Sequence, residues 1–261
     1  MKKSLALLFV LTLVCGAILA LQGCKPGGEG EGEAVTIKVG TDAAYPPFEM
    51  VDATTGEIVG FDIDLMNEIA KEAGFQVEYV NVGWDGIFVG LENGDYDAII
   101  SAVSITEERK LKYDYSEPYY SISQALLVRK DMEGNVKVLD DLKGLKVGAQ
   151  IGTTGAIFVS KNPNVTLVNY DDNALAIEAL LKGDVDAVVC DHPVAYDYAL
   201  VNEAYRDKVV VVNDDLNEGA LEPYGIVVKK ENTAVLDMIN EGLAAVPTKT
   251  VDEIAKKWKL K

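Results

Sequence analysis

The sequence predicts an α/β chain of two lobes, each a doubly wound, mostly parallel sheet with flanking helices, joined by two hinge crossings. Three observations lead there. Leu91-Glu92-Asn93-Gly94-Asp95-Tyr96-Asp97-Ala98-Ile99-Ile100-Ser101 returns as Leu180-Leu181-Lys182-Gly183-Asp184-Val185-Asp186-Ala187-Val188-Val189-Cys190. Each copy has an upstream marker, Lys38-Val39-Gly40 in the first half and Lys146-Val147-Gly148 in the second. Between marker and repeat both halves alternate apolar strand runs with helical periodicity, the pattern of parallel βαβ units with right-handed crossovers. Two copies are too few to stack as a solenoid. They suit two facing lobes with a ligand cleft between them.

The first 23 residues read as a targeting segment. Lys2 and Lys3 form a basic start, and Ser4 to Leu21 is almost wholly apolar, long enough to span a membrane if it were retained. Leu21-Gln22-Gly23-Cys24 resembles the bacterial lipoprotein processing box, in which the cysteine is lipidated and heads the mature chain; Gln22 is a less usual occupant than Ala or Ser. Cys24 is the expected lipidation site, and residues 24–34 a flexible Gly/Glu tether. With Cys15 inside the removed segment, Cys190 is left without a partner for an intramolecular disulfide. Its place at the end of an apolar strand suits a small buried side chain.

Lobe 1 is expected over residues 35–128 together with 222–261, and lobe 2 over 129–221. Lobe 1 opens with a strand from Val35 to Gly40, a loop through Glu49, and a hairpin around Thr55-Gly56. Asp62 is expected to cap a helix from Ile63 to Ala73 that Gly74 ends. A strand from Gln76 to Val82, a helix after Trp84 and the first repeated strand follow. Lobe 2 repeats the plan without the hairpin, with a strand Leu145–Ala149, a helix from Thr153-Thr154, a strand Val165–Asn169, and a helix capped by Asp171 or Asp172. The tail holds a strand at Gly225–Val228 and two helices parted at Pro247, the last with a capping-box spacing at Thr250 and Glu253. The tail resembles nothing in the second half, so most of it is assigned back to lobe 1. That puts the chain crossings near Val128 and Leu221.

A formal net charge of −18 disfavours nucleic acid, whose phosphates such a surface repels. One histidine and one unlipidated mature cysteine leave no basis for a metal site. No cofactor is expected either, since Gly152-Thr153-Thr154-Gly155 lacks the lysine of a phosphate loop.

In open α/β sheets ligands bind beyond the carboxyl ends of the strands. Four loops qualify. They carry Thr41, Asp42 and Tyr45; Ser101, Ala102, Ser104, Thr106 and Arg109; Gln150, Gly152, Thr153 and Thr154; and Asp191 and His192. Arg109 is the sole cation in the first-lobe set and follows Thr106, a potential cap, so its fork suits a carboxylate. Asp191, facing it from the other lobe, suits an ammonium. Together they describe an α-amino acid. Each has a plainer alternative: Arg109 as a solvated helix charge, Asp191 and Asp42 as loop caps, Trp84 as core.

Long stretches of the chain, from Val35 to Lys259, resemble the family 3 bacterial extracellular solute-binding proteins, the amino-acid receptors of ABC importers. The resemblance is carried by Val39–Glu49, Val59–Leu65, Ile105–Lys110, Tyr115–Tyr120, Asp141–Gly148 and Gly152–Gly155. It implies that Arg109, helped by Ser104 and the backbone around Ala102, holds the ligand's α-carboxylate, and that Asp191 takes the α-ammonium. It places Tyr45 and Trp84 as aromatic faces for the ligand side chain, Asp42 at its far end, Thr154 near the carboxylate, and Gln150 at a variable specificity position. With the anchor read from Cys24, the expectation is a lipid-anchored monomer, outside the cytoplasm on the periplasmic or cell-surface face, that closes on a polar, basic amino acid, arginine or lysine, and meets a membrane permease. Glutamine is the alternative ligand, and an exported cyclohexadienyl-dehydratase-like enzyme the alternative of another class.

Overall fold

The computed structural model describes residues 35–260. The targeting segment, Cys24 and the tether lie outside these residues. Among residues 35–260 no helix is long and apolar enough to cross a membrane.

Two five-stranded sheets are built on one plan. The first runs Gln76–Asn81, Thr36–Thr41, Ala98–Ile99, Val227–Lys229, Tyr113–Tyr115. The second runs Thr166–Tyr170, Lys146–Gln150, Ala187–Asp191, Gln124–Arg129, Val209–Asn213. In each, the first three strands are parallel and come from the repeat. The fourth strand is antiparallel to the third. It comes from a segment next to a crossing, Val227–Lys229 in one sheet and Gln124–Arg129 in the other. The crossings themselves pair as a two-stranded ladder, Tyr120–Ile122 with Glu222–Tyr224. Thus Gln124–Val128, grouped by sequence with the first lobe, belongs to the second sheet.

The repeated phrase has a packing cause. Asp97 and Asp186 accept the backbone N–H of Lys38 and Lys146 at 2.9 and 3.0 Å, tying each repeat to its marker strand. The residue between the two aspartates packs on the marker glycine: a Cβ at Gly40 would fall 2.6 Å from the Tyr96 ring, and one at Gly148 would lie 3.4 Å from Val185. Gly94 and Gly183 both end their helices at φ 82°, a conformation that costs glycine little. Leu91 and Leu180, one turn earlier, are fully buried, each contributing roughly 1.5–3 kcal/mol.

Three expected caps turn out differently or more narrowly. Asp172 caps helix Asn173–Lys182, its carboxylate accepting the Leu175 N–H at 2.7 Å. Asp62 does not cap helix Phe61–Ala73; Gly60 occupies the cap and Asp62 is buried inside the first turn. The last helix, Thr248–Lys257, starts after Pro247, so Thr250 and Glu253 lie within it rather than at a capping box. Proline's fixed φ at the boundary supplies the start without a side-chain cap.

Candidate functional site

The loops after Thr36–Thr41 and Ala98–Ile99 meet those after Lys146–Gln150 and Ala187–Asp191. All nine residues singled out from the sequence line the cavity between them: Asp42, Tyr45, Trp84, Ala102, Ser104, Arg109, Gln150, Thr154 and Asp191. Ser101 and Thr153 complete the lining.

Arg109 sits on the short helix Glu107–Lys110, whose cap Thr106 accepts the Arg109 N–H at 3.2 Å. Its guanidinium donates to Ser104 O at 2.9 Å and to Gly152 O at 3.1 Å. The Trp84 and Phe88 rings lie 5.4 Å from its Cζ, a cation–π arrangement. Trp84, expected as one face for a ligand side chain, therefore has Arg109 as a neighbour, with Phe88 edge-on at 5.6 Å. Arg109 forms no ion pair with a carboxylate among the described residues. It is not a solvated surface charge.

Asp191 ends strand Ala187–Asp191 and precedes helix His192–Tyr196, yet its side chain makes no capping bond. Its carboxylate turns inward instead and accepts Tyr45 Oη at 2.6 Å, Gln124 Nε2 at 2.6 Å and the Tyr224 hydroxyl. Burial pushes its pKa up to about 6, while the Tyr224, Tyr45 and Gln124 donors oppose the rise.

Asp42 is buried at the end of the first strand. Its Oδ2 accepts Gln150 Nε2 at 3.3 Å, and the Trp84 backbone N–H adds a second donor. Burial again raises the pKa to about 6, with Gln150 acting against it and Asp172 with it. Gln150 is itself held, donating to Asp171 O at 3.0 Å and accepting from Asn173 Nδ2 at 3.3 Å. Neither Asp42 nor Asp191 pairs with a lysine or arginine among the described residues.

Ser104 Oγ and Thr154 Oγ1 stand 3.4 Å apart across the cavity, and Gln124 Nε2 reaches Thr154 Oγ1 at 3.1 Å. Thr153 accepts the Ala156 N–H at 3.2 Å and donates to Gln150 O at 2.7 Å, fixing the start of helix Thr154–Ser160. The N–H of Ala102 is already taken by Asp62 Oδ2 at 2.8 Å. Backbone help at that turn therefore cannot come from the Ala102 N–H itself. His192 lies outside the lining, with Nδ1 accepting the Ser123 N–H at 3.2 Å.

Sequence reasoning missed Gln124, Tyr224 and Glu49. Gln124 and Tyr224 lie outside the lining but bond Asp191, brought there by strand pairing with Ala187–Asp191 and with Tyr120–Ile122 respectively. Glu49 sits inside a quoted motif but carried no charge partner that spacing could reveal.

Residues 37–261 match the model of the bacterial extracellular solute-binding proteins, family 3. The chain belongs to that family. This solute-binding protein is 38% identical over 257 residues to the probable histidine-binding protein of Neisseria gonorrhoeae, covering 94% of this chain and 91% of the relative. It resembles the solved structure of an ancestral arginine-binding protein bound to glutamine, with a TM-score of 0.79, 40% identity, and coverage of 87% and 99%. The arginine-, lysine-, histidine-binding protein of Geobacillus stearothermophilus aligns with a TM-score of 0.77 at 38% identity, covering 87% of this chain and 96% of that one. The fold is thus the two-lobed α/β arrangement of the amino-acid-binding proteins, as the sequence predicts.

Proposed function

We propose that this solute-binding protein captures a basic α-amino acid, arginine foremost, and presents it to the permease of an ABC importer. One observation carries the reading: the cavity holds one half-buried cation, Arg109, and two buried carboxylates, Asp191 and Asp42, none with an ion-pair partner among the described residues. Arginine and lysine carry the complementary set, one carboxylate and two cations. A buried charge without a counter-charge is expensive, and such a ligand neutralises all three. The carboxylate goes to Arg109 beside Ser104 and Thr154, the ammonium to Asp191, and the side-chain cation to Asp42 beside Gln150. Titration calorimetry against arginine, lysine, histidine and glutamine tests this. Arg109→Ala and Asp191→Ala should each cost roughly 2–5 kcal/mol of binding. Retained arginine affinity in either variant would remove that residue from the site.

Glutamine is the second reading, favoured by one contact. The Gln150 amide already donates to Asp42 at 3.3 Å, so a ligand amide could do the same. Of the two groups that could serve as a general acid or base, His192 lies outside the lining with its Nδ1 committed to Ser123 and Asp42 lines the cavity; capture is favoured over catalysis because Asp191 is set to take an ammonium. We assign the hinge to the ladder of Tyr120–Ile122 with Glu222–Tyr224, the sole strand pairing between the two crossings among the described residues. The two sides already touch here, through Arg109 with Gly152, Ser104 with Thr154 and Tyr45 with Asp191, so this is the closed arrangement, and opening about the ladder would part them to admit the ligand. A monomer held outside the cytoplasm by lipid on Cys24 completes the proposal.

A further inference from the structure

Behind the cavity floor lie two carboxyl groups that ligand capture does not use. Glu49 begins strand Glu49–Val51 and Asp62 stands in the first turn of helix Phe61–Ala73; both are fully buried. One oxygen of each is well served. Glu49 Oε1 accepts Ser101 Oγ at 2.9 Å, and Asp62 Oδ2 accepts the Ala102 N–H at 2.8 Å and the Tyr119 hydroxyl at 2.7 Å. The other oxygens, Glu49 Oε2 and Asp62 Oδ1, are buried without a donor. The two carboxyl groups adjoin: the Asp62 N–H donates to the carbonyl of Phe48, next to Glu49, at 3.0 Å, and the groups they hold, the Ser101 hydroxyl and the Ala102 N–H, belong to consecutive residues. Two bare carboxylates in that position would repel strongly, and neither orphan oxygen would be satisfied.

We propose that Glu49 and Asp62 hold one proton between them, Glu49 as the acid and Asp62 as the anion, and that the pair positions the Ser101–Ala102 turn forming the cavity floor. The proton answers both orphans at once: Glu49 donates through it and Asp62 accepts. Asp62 is the better anion because it already receives two donors, whereas Glu49 receives one and faces the charge of Asp42. The titratable groups facing the pair are Asp42 from the first strand, Tyr45 from its loop, Tyr79 from strand Gln76–Asn81, and Tyr119 from the segment before Tyr120–Ile122. None of these four is a cation that could replace the proton.

The pair reaches the cavity through two short links. Ser101 Oγ, anchored on Glu49, accepts the Asp42 N–H at 3.0 Å. Asp62 holds the N–H of Ala102, whose φ of 47° lies in the left-handed region that alanine seldom occupies. Glu49 and Asp62 are thus positioning residues for Asp42 and for the floor beside Ser104 and Arg109. Their effect on affinity rests on the proposed reading of the cavity; the shared proton does not.

Infrared spectra and hydrogen exchange test the pair without a ligand. At about pH 8.5, above the range in which Asp62, Asp42 and Asp191 titrate, the wild-type protein should show the carbonyl stretch of a buried protonated acid that Glu49→Gln removes. The amide introduced by that substitution can still donate to Asp62, so exchange at the Ala102 N–H should stay within threefold of wild type. Glu49→Leu, which offers neither donor nor acceptor, should speed that exchange at least tenfold. Calorimetry with arginine should show at most a threefold loss for Glu49→Gln and at least a thirtyfold loss for Glu49→Leu. A wild-type spectrum without the acid band overturns the proposal, as does Glu49→Gln exchanging like Glu49→Leu. If Glu49→Leu does not fold, the band and the near-wild-type exchange of Glu49→Gln decide. Should arginine not bind the wild type while band and exchange follow the pattern, the ligand reading falls and the proton pair stands.

Discussion

The Tyr45 hydroxyl donates to Asp191 Oδ2 at 2.6 Å, joining the loop after the first strand of one sheet to the last residue of a strand in the other. It is one of three donors on that carboxylate, with Tyr224 and Gln124. Hydrogen bonds to an ionised carboxylate favour its charged form against the burial that opposes it. Tyr45 therefore keeps Asp191 anionic.

Tyr45→Phe should raise the Asp191 pKa above about 6 and weaken binding of an α-ammonium. Loss of one donor to a charged group is worth about 1.5 kcal/mol, a rise of about one pKa unit, so the ionised fraction and with it the affinity should fall roughly twofold at pH 7 and up to roughly tenfold below pH 6. Calorimetry across pH would show the wild-type affinity restored at higher pH in the variant. An affinity unchanged at every pH would mean that Tyr45 does not act through Asp191.

Asp42 and Asp191, each raised to about 6, predict two titrations of opposite sense. A cationic ligand needs both ionised, so its affinity is full above that pH and falls as pH drops through it. Without ligand the sign reverses. A carboxylate raised on folding binds more protons native than unfolded between its ordinary value and about 6, so stability is lost as pH rises through that window. Asp62, raised to about 7, extends the window upward. Thermal unfolding should therefore give a higher midpoint near pH 5 than near pH 7.5 for the protein alone, by several degrees. The stabilisation added by arginine should follow the reverse order. A midpoint flat between these pH values, or arginine stabilisation strongest at the acid end, would contradict the assignment of these carboxylates.

Much of this site was legible because its charges sit in loops that the repeat itself marks. Once Ala98–Ser101 and Ala187–Cys190 are recognised as equivalent strands, the residues after them must converge, and Arg109 and Asp191 follow. The partners of those charges were not legible. Gln124 and Tyr224 are brought in by strand pairing across the crossings, which leaves no local periodicity. Asp62 looked like a helix cap because an aspartate before an apolar stripe ordinarily is one. Here Gly60 takes the cap, and the Asp62 carboxylate is drawn inward by the N–H of Ala102 and the hydroxyl of Tyr119.

The anchor is tested apart from the fold. Cys24→Ser should prevent lipidation and leave an unprocessed or mislocalised precursor. Mass spectrometry of the wild-type chain should find Cys24 modified at the mature N-terminus. Cleavage elsewhere with an unmodified Cys24 would show that the segment is an ordinary export signal.

Specificity turns on Asp42. Its carboxylate meets only neutral donors, the Gln150 amide and the Trp84 N–H, and no cation offsets its burial. A guanidinium placed there gains a charge-assisted hydrogen bond and can offer two donors at once. Lysine offers the charge without the fork, and glutamine offers donors without the charge. The expected order of affinity is arginine, then lysine, then glutamine. Asp42→Asn removes the charge and keeps the shape. It should cost arginine about 2–3 kcal/mol, the worth of a hydrogen bond between charged groups, and glutamine less than about 1 kcal/mol. Because the substituted amide does not titrate, the variant should also lose part of the decline in arginine affinity below about pH 6. Equal losses for arginine and glutamine would mean that Asp42 only shapes the loop. Tighter binding of glutamine than arginine by the wild type would end the basic-ligand reading while leaving the amino-acid clamp of Arg109 and Asp191 in place.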